Sequence, residues 1–137
     1  MGQPEATAIA AADGIEYTFG VNHLAPFLLT HLLTDLVRKS DNGRVINVSS
    51  GIHYLGYIDL KDPEFKQKRY SPMKAYAQSK IANVLYTKEL SERLNGSCIT
   101  VNCLEPGWVY TGLFRDTSSI IKAITRWLAL TAAGALP

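Results

Sequence analysis

Tyr76 and Lys80 stand four residues apart in the stretch Ser71-Pro72-Met73-Lys74-Ala75-Tyr76-Ala77-Gln78-Ser79-Lys80. At about 100° per helical residue, the two side chains leave one face of a helix. A nearby ammonium favours a phenolate over a phenol, so the pair reads as an acid/base couple that can give and take a proton. The spacing alone discriminates little, since it recurs at Tyr57…Lys61 and Tyr70…Lys74. Context separates them. Tyr57…Lys61 lies in a turn-rich stretch that runs into Pro63, and Tyr70…Lys74 brackets Pro72, which suits a helix start. Tyr76…Lys80 leads into the helix-compatible run from Ile81 to Leu94, so this pair has a rigid element to hold it.

The elements around the pair can be read in order. Asp13 and Gly14 offer a helix cap, and Tyr17, Val21, Leu24, Leu28, Leu32 and Leu36 recur every three to four residues. The pattern predicts a helix from residue 13 to 39 ending in the cations Arg38 and Lys39, with a break or kink near Asn22 to Ala25 imposed by Pro26. Ser40-Asp41-Asn42-Gly43 is a turn, and residues 44 to 49 form a β-branched run of buried-strand length that delivers Ser50 at its C-terminal end. Residues 51 to 70 read as an active-site loop with a short extended piece at Tyr57-Ile58-Asp59-Leu60.

The next helix is expected from about Lys74 to Leu94, apolar on two sides and therefore sandwiched, with Asn95-Gly96 ending it. Residues 99 to 104 form the second strand. Strand, helix and strand at this spacing make a βαβ unit with parallel strands and a right-handed crossover. Ser50, the start of the Tyr76 helix and Glu105-Pro106-Gly107 then converge on one edge of the sheet, where open α/β sheets collect ligands. Taken alone, Ser50 reads more readily as a turn or capping serine.

The 137 residues are 47% hydrophobic and carry a net charge of +2, which is one domain's worth of chain with no nucleic-acid footprint. Residues 66 to 69 form a short basic cluster that reads as a solvated loop. The N-terminus shows no secretory signal, Ala6 stands where a myristoylation site needs Ser or Thr, and no run of about 18 apolar residues occurs. The expectation is a soluble or peripheral chain. Cys98 and Cys103 flank a strand too far apart for a disulfide and read as buried thiols. His23, His31 and His53 have no metal-binding spacing, so no metal is expected. Trp108 reads as a pocket wall or a cover for the sheet end, and Glu105 as a turn residue. Residues 120 to 130 read as a short amphipathic helix.

Several segments together resemble the short-chain dehydrogenase/reductase family, in its retinol-dehydrogenase-like branch. They are Phe19-Gly20-Val21-Asn22-His23-Leu24, Phe27-Leu28-Leu29-Thr30, Arg44-Val45-Ile46-Asn47-Val48-Ser49-Ser50, Ala75-Tyr76-Ala77-Gln78-Ser79-Lys80 and Pro106-Gly107-Trp108-Val109-Tyr110-Thr111. The fold this implies is α/β: part of a doubly wound parallel-sheet Rossmann fold, with one βαβ unit and flanking helices. Residues 1 to 137 would be the C-terminal part of that single domain. Tyr70-Ser71-Pro72 before the Tyr76 segment is also similar to polyprenol-dehydrogenase-like members.

By this resemblance Tyr76 is the general acid/base. Lys80 holds the nicotinamide ribose and favours the phenolate, Ser50 hydrogen-bonds the substrate oxygen, and Asn22 supports a water-linked proton path. Pro106, Gly107, Val109 and Thr111, with Tyr76 and Lys80, would contact NADP or NAD. The implied chemistry is hydride transfer with a lipophilic alcohol or aldehyde. The resemblance further implies a homodimer through the two long helices, and peripheral membrane contact at an endoplasmic reticulum or lipid-droplet surface, the other expectation being cytoplasmic. Two departures stand out. Ala25-Pro26 replaces the family's usual Gly-His, and nothing like G-x-x-x-G-x-G is present to cradle a pyrophosphate. A non-catalytic fragment or pseudoenzyme that keeps the family's packing surfaces is therefore the rival expectation.

Overall fold

A computed structural model of the chain describes residues 14 to 107. The expected segments at residues 1 to 13 and 120 to 130, together with Trp108, Val109 and Thr111, lie outside them. Two strands, β1 (Gly43–Val48) and β2 (Ile99–Leu104), pair in parallel from Gly43↔Ile99 to Val48↔Leu104. The crossover between them is the 22-residue helix that carries Tyr76, Pro72–Arg93. The βαβ unit is therefore as expected, with both strand tips at one edge.

The first helical region differs from expectation in its cap. Glu16 caps it, accepting hydrogen bonds from the backbone N–H groups of Thr18 and Phe19, and its carboxylate also accepts from the Tyr70 hydroxyl at 3.0 Å. A short helix, α1 (Tyr17–Phe19), passes into a π-helical turn, Gly20–Leu24, and then into α2 (Ala25–Val37). The irregularity expected before Pro26 takes the form of a π-turn, in which the Ala25 N–H reaches back five residues to the Gly20 carbonyl. Pro26 explains it: the proline has no N–H for the Asn22 carbonyl four residues back, and the widened turn accommodates the loss.

The helix termini of the crossover follow simple capping chemistry. The helix, α3 (Pro72–Arg93), starts two residues before the expected position, because the Ser71 side chain accepts from the Lys74 N–H and Pro72 fits the first turn. It ends at a Leu94 cap, and Gly96 turns the chain away at φ +80°. The strand tip of β1 runs into a 3₁₀ turn, Gly51–Leu55, which the sequence did not suggest. Tyr57 to Leu60 form no strand. The loop after them is organised by Asp62, whose buried carboxylate accepts from the N–H groups of Lys66, Gln67 and Lys68.

Which residues are covered is the least expected feature. The buried residues of α3 are small and polar, Ala75, Ala77, Gln78, Ser79, Ala82, Asn83 and Thr87, rather than its leucines. The stripe Val21, Leu28, Leu32 and Leu36 faces outward, Leu32 being 67% exposed, while Phe19, His23 and Phe27 form an aromatic cluster with Tyr86 of α3. On β1, alternation puts Val45 and Asn47 toward α3 and leaves Ile46 59% exposed. Cys98 and Cys103 are exposed, against the expectation of buried thiols. Free cysteine is covered only where neighbouring elements exclude water, and pairing with β1 leaves both thiols accessible.

Residues up to Glu105 form one unit, and a second begins at Pro106, of which Pro106 and Gly107 are described. Among the described residues no helix is long and apolar enough to cross a membrane.

Candidate active site

The β1 tip, the N-terminal half of α3 and the π-turn supply the chemistry-bearing residues. Helical spacing puts Lys80 one turn after Tyr76, and the Lys80 Nζ sits 5.5 Å from the centroid of the Tyr76 ring. The same ammonium donates to the Val48 carbonyl at 3.2 Å, which ties it to the last residue of β1. One of its three N–H donors is used there, so the ammonium keeps donors for a second partner. Burial pushes the Lys80 ammonium below the ordinary lysine range, opposed by the nearby Cys103 sulfur. Tyr76 itself is half-buried.

Asn22 reaches this pair through the backbone. Its side-chain amide donates to the Ser79 hydroxyl at 3.1 Å, and that hydroxyl donates to the Tyr76 carbonyl at 2.7 Å. Ser50 is half-buried at the β1 tip, where its carbonyl accepts from both the N–H and the Nδ1 of His53, the latter at 2.6 Å. The turn that follows is pressed onto α3. A Cβ placed on Gly56 would lie 2.5 Å from the Ala77 carbonyl oxygen and 2.7 Å from a methyl of Ile81. The turn after Ser50 therefore rests on the helix beside Tyr76 and Lys80. Pro106 and Gly107 follow β2, Gly107 with φ +70°, a conformation that favours glycine.

Three further residues belong to this assembly and were not singled out in the sequence. The Ser49 hydroxyl donates to the Lys80 carbonyl at 2.9 Å. Gln78, fully buried, donates to the Pro63 carbonyl at 2.6 Å and holds the 57–70 loop against α3. Asn83 donates to the carbonyls of both Asn22 and Val48. A signal for this network existed: Ser79, Asn83 and Thr87 repeat every four residues, a polar stripe on a helix otherwise rich in apolar side chains.

No protein-family model matches the chain. Human retinol dehydrogenase 13 is 52% identical over 105 residues, covering 77% of this chain and 32% of that protein. In the solved structure of a short-chain dehydrogenase from Salmonella enterica serovar Typhi, 81% of this chain overlays 45% of that one, with a TM-score of 0.56 and 25% identity. This chain is of the short-chain dehydrogenase/reductase family, in its retinol-dehydrogenase-like branch. An uncharacterised protein from Mycobacterium Paratuberculosis overlays 99% of this dehydrogenase-like chain at 35% identity and a TM-score of 0.68, with 48% of that structure covered. The chain spans about a third of the length of the curated retinol dehydrogenases it matches. The α/β fold, part of a Rossmann-type parallel sheet, agrees with these neighbours.

The donors present suit the nicotinamide-ribose end of a dinucleotide, for which a phenol and a partly unused ammonium on one helical face offer hydrogen bonds to ribose hydroxyls. The 137 residues hold no glycine-rich phosphate turn to receive the other end. Among the described residues no three His, Cys, Asp or Glu side chains cluster to hold a metal.

A groove of about 480 Å³ lies between α2 and the C-terminal part of α3, lined by Phe27, His31, Arg38, Tyr86, Leu90 and Arg93 among others. It is set at the other end of α3 from Tyr76 and Lys80.

Proposed function

We propose that this chain supplies the proton-transfer half of an oxidoreductase acting on a lipophilic alcohol or aldehyde with NADP or NAD. The observation that carries the reading is the Lys80 ammonium held 5.5 Å from the Tyr76 ring by a strand-end carbonyl. The nicotinamide, when bound, supplies or accepts the hydride. Tyr76 exchanges a proton with the substrate oxygen as general acid/base. Lys80 favours the phenolate and hydrogen-bonds the ribose, and Ser50 orients the substrate oxygen. Asn22, on the π-turn, keeps a route for protons along the helix, and Pro106, Gly107, Val109 and Thr111 frame the nicotinamide. Residues 1 to 137 then correspond to the C-terminal part of a single Rossmann-type domain. That the relatives are retinol dehydrogenases favours a retinoid substrate; a polyprenol is the second choice. Homodimerisation through α2 and α3 fits the outward-facing Leu28, Leu32 and Leu36, and the apolar substrate fits residence at an endoplasmic reticulum or lipid-droplet surface.

The rival reading is a non-catalytic chain that retains the family's packing surfaces. It is favoured by the lack of a glycine-rich phosphate turn among the 137 residues. Titrating the protein with NADPH and NADH, following nucleotide fluorescence, and then adding retinaldehyde separates the two. Saturable binding and aldehyde-dependent oxidation that Tyr76→Phe abolishes support the oxidoreductase. Folded protein that binds neither nucleotide supports the rival.

A further inference from the structure

Asn83 lies one turn beyond Lys80 on α3, is 6% exposed, and has its polar atoms engaged on three sides. Its amide nitrogen donates to the Asn22 carbonyl at 3.1 Å and to the Val48 carbonyl at 3.2 Å. Its amide oxygen faces the Nδ1 of His23 at 2.9 Å, and because that oxygen can only accept, the imidazole must donate. Each partner has a specific relation to the Tyr76–Lys80 pair. The Asn22 carbonyl is the one Pro26 cannot serve. The Val48 carbonyl is the one that holds the Lys80 ammonium, so Asn83 and Lys80 share a single acceptor at the strand tip. Thr87 extends the chain of contacts, donating to the Asn83 carbonyl at 2.8 Å and accepting from Asn47 at 2.9 Å.

We infer that Asn83 is the positioning residue of this site: it pins the π-turn and the β1 tip to α3, fixes the carbonyl that orients the Lys80 ammonium, and is itself held in one amide orientation by His23. The inference deepens the oxidoreductase reading and rests on it for its catalytic meaning. The geometric part stands on the contacts alone. Glutamine is a methylene too long and leucine has no donor, so no other uncharged side chain of this size serves two carbonyls and an imidazole at once. Losing the amide takes this donor from the Asn22 carbonyl and leaves the Val48 carbonyl to the Lys80 ammonium alone.

The test reads Lys80 directly. The protein is labelled with [13Cε]lysine, the Lys80 signal is assigned with Lys80→Arg, and its pH titration is followed in the parent, in Asn83→Leu and in the milder Asn83→Ser. Tyr76 and Cys103, the titratable neighbours of the ammonium, are unchanged in these variants. The expected result is a Lys80 signal that moves toward that of a solvent-exposed lysine, with its midpoint rising toward the ordinary lysine value, in whichever variant gives a native-like circular dichroism spectrum. Asn83→Ser is included because its smaller side chain leaves room and polarity, so that one folded variant is obtained. A Lys80 signal and titration identical to the parent's in a folded variant overturns the inference. Turnover is read in parallel: kcat falling about tenfold or more with KM nearly constant is the signature of a group acting through Lys80. An inactive parent protein counts against the oxidoreductase reading while the Lys80 titration still decides the role of Asn83.

Discussion

Replacing Gly56 by alanine asks how tightly the turn after Ser50 is seated on the catalytic helix. The backbone at Gly56, φ −78° and ψ 142°, is open to any residue, so conformational strain does not enter. Space does. The added methyl would lie 2.5 Å from the Ala77 carbonyl oxygen and 2.7 and 2.9 Å from two carbons of Ile81, all inside the 3.0 Å that such contacts essentially never breach. The oxygen belongs to the backbone of α3 and cannot rotate away, so the turn must lift by roughly half an ångström or more. Overpacking of this kind costs about 1–3 kcal/mol. At about 4 °C per kcal/mol for a domain of this size, the melting midpoint should drop by roughly 4–12 °C. Gly51→Ala is the internal control. Its new methyl would meet the Glu105 carboxylate, the far end of a flexible side chain that can swing aside. Its effect should stay within about 0.5 kcal/mol. Paired thermal melts by circular dichroism read both. Gly56→Ala melting within a degree of the parent, or Gly51→Ala falling as far as Gly56→Ala, would refute the close-approach argument.

Two predictions concern charge. Burial depresses the His23 imidazole below its ordinary value more than the Asn83 bond raises it, so between the folded and unfolded values the unfolded chain binds more protons. Stability that His23 contributes above about pH 6.5 is therefore lost as pH falls through its folded value. His23→Phe should flatten the slope of stability against pH in that acid window, measured by urea unfolding at a series of pH values; an unchanged slope would show that the imidazole is not the group responsible. Lys80 is depressed by burial as well, which means that its charge at neutral pH opposes folding. Lys80→Met should melt at or above the parent's temperature at pH 7 and should bind nucleotide no better than Tyr76→Phe does, the two results together separating a functional charge from a stabilising one. A large drop in its melting temperature would mean that the bond to the Val48 carbonyl outweighs desolvation.

The sequence alone determined the local elements and the order in which they come. Residue type sets strand propensity in residues 44 to 49 and 99 to 104, turn chemistry at Asn95-Gly96, and the shared helical face of Tyr76 and Lys80, all of which depend on neighbours within one or two turns. Pro26 likewise announced an irregularity near Asn22, though not its form. What only tertiary structure decided is which faces are covered and by what. Apolar periodicity marks a stripe such as Val21-Leu28-Leu32-Leu36, but burial depends on a partner surface, and here the helix turns its aromatic and polar side chains to α3 instead. The same holds for Cys103, exposed at the end of β2, and for Asn83. Its importance comes from carbonyls 61 and 35 residues away, a separation no local pattern encodes.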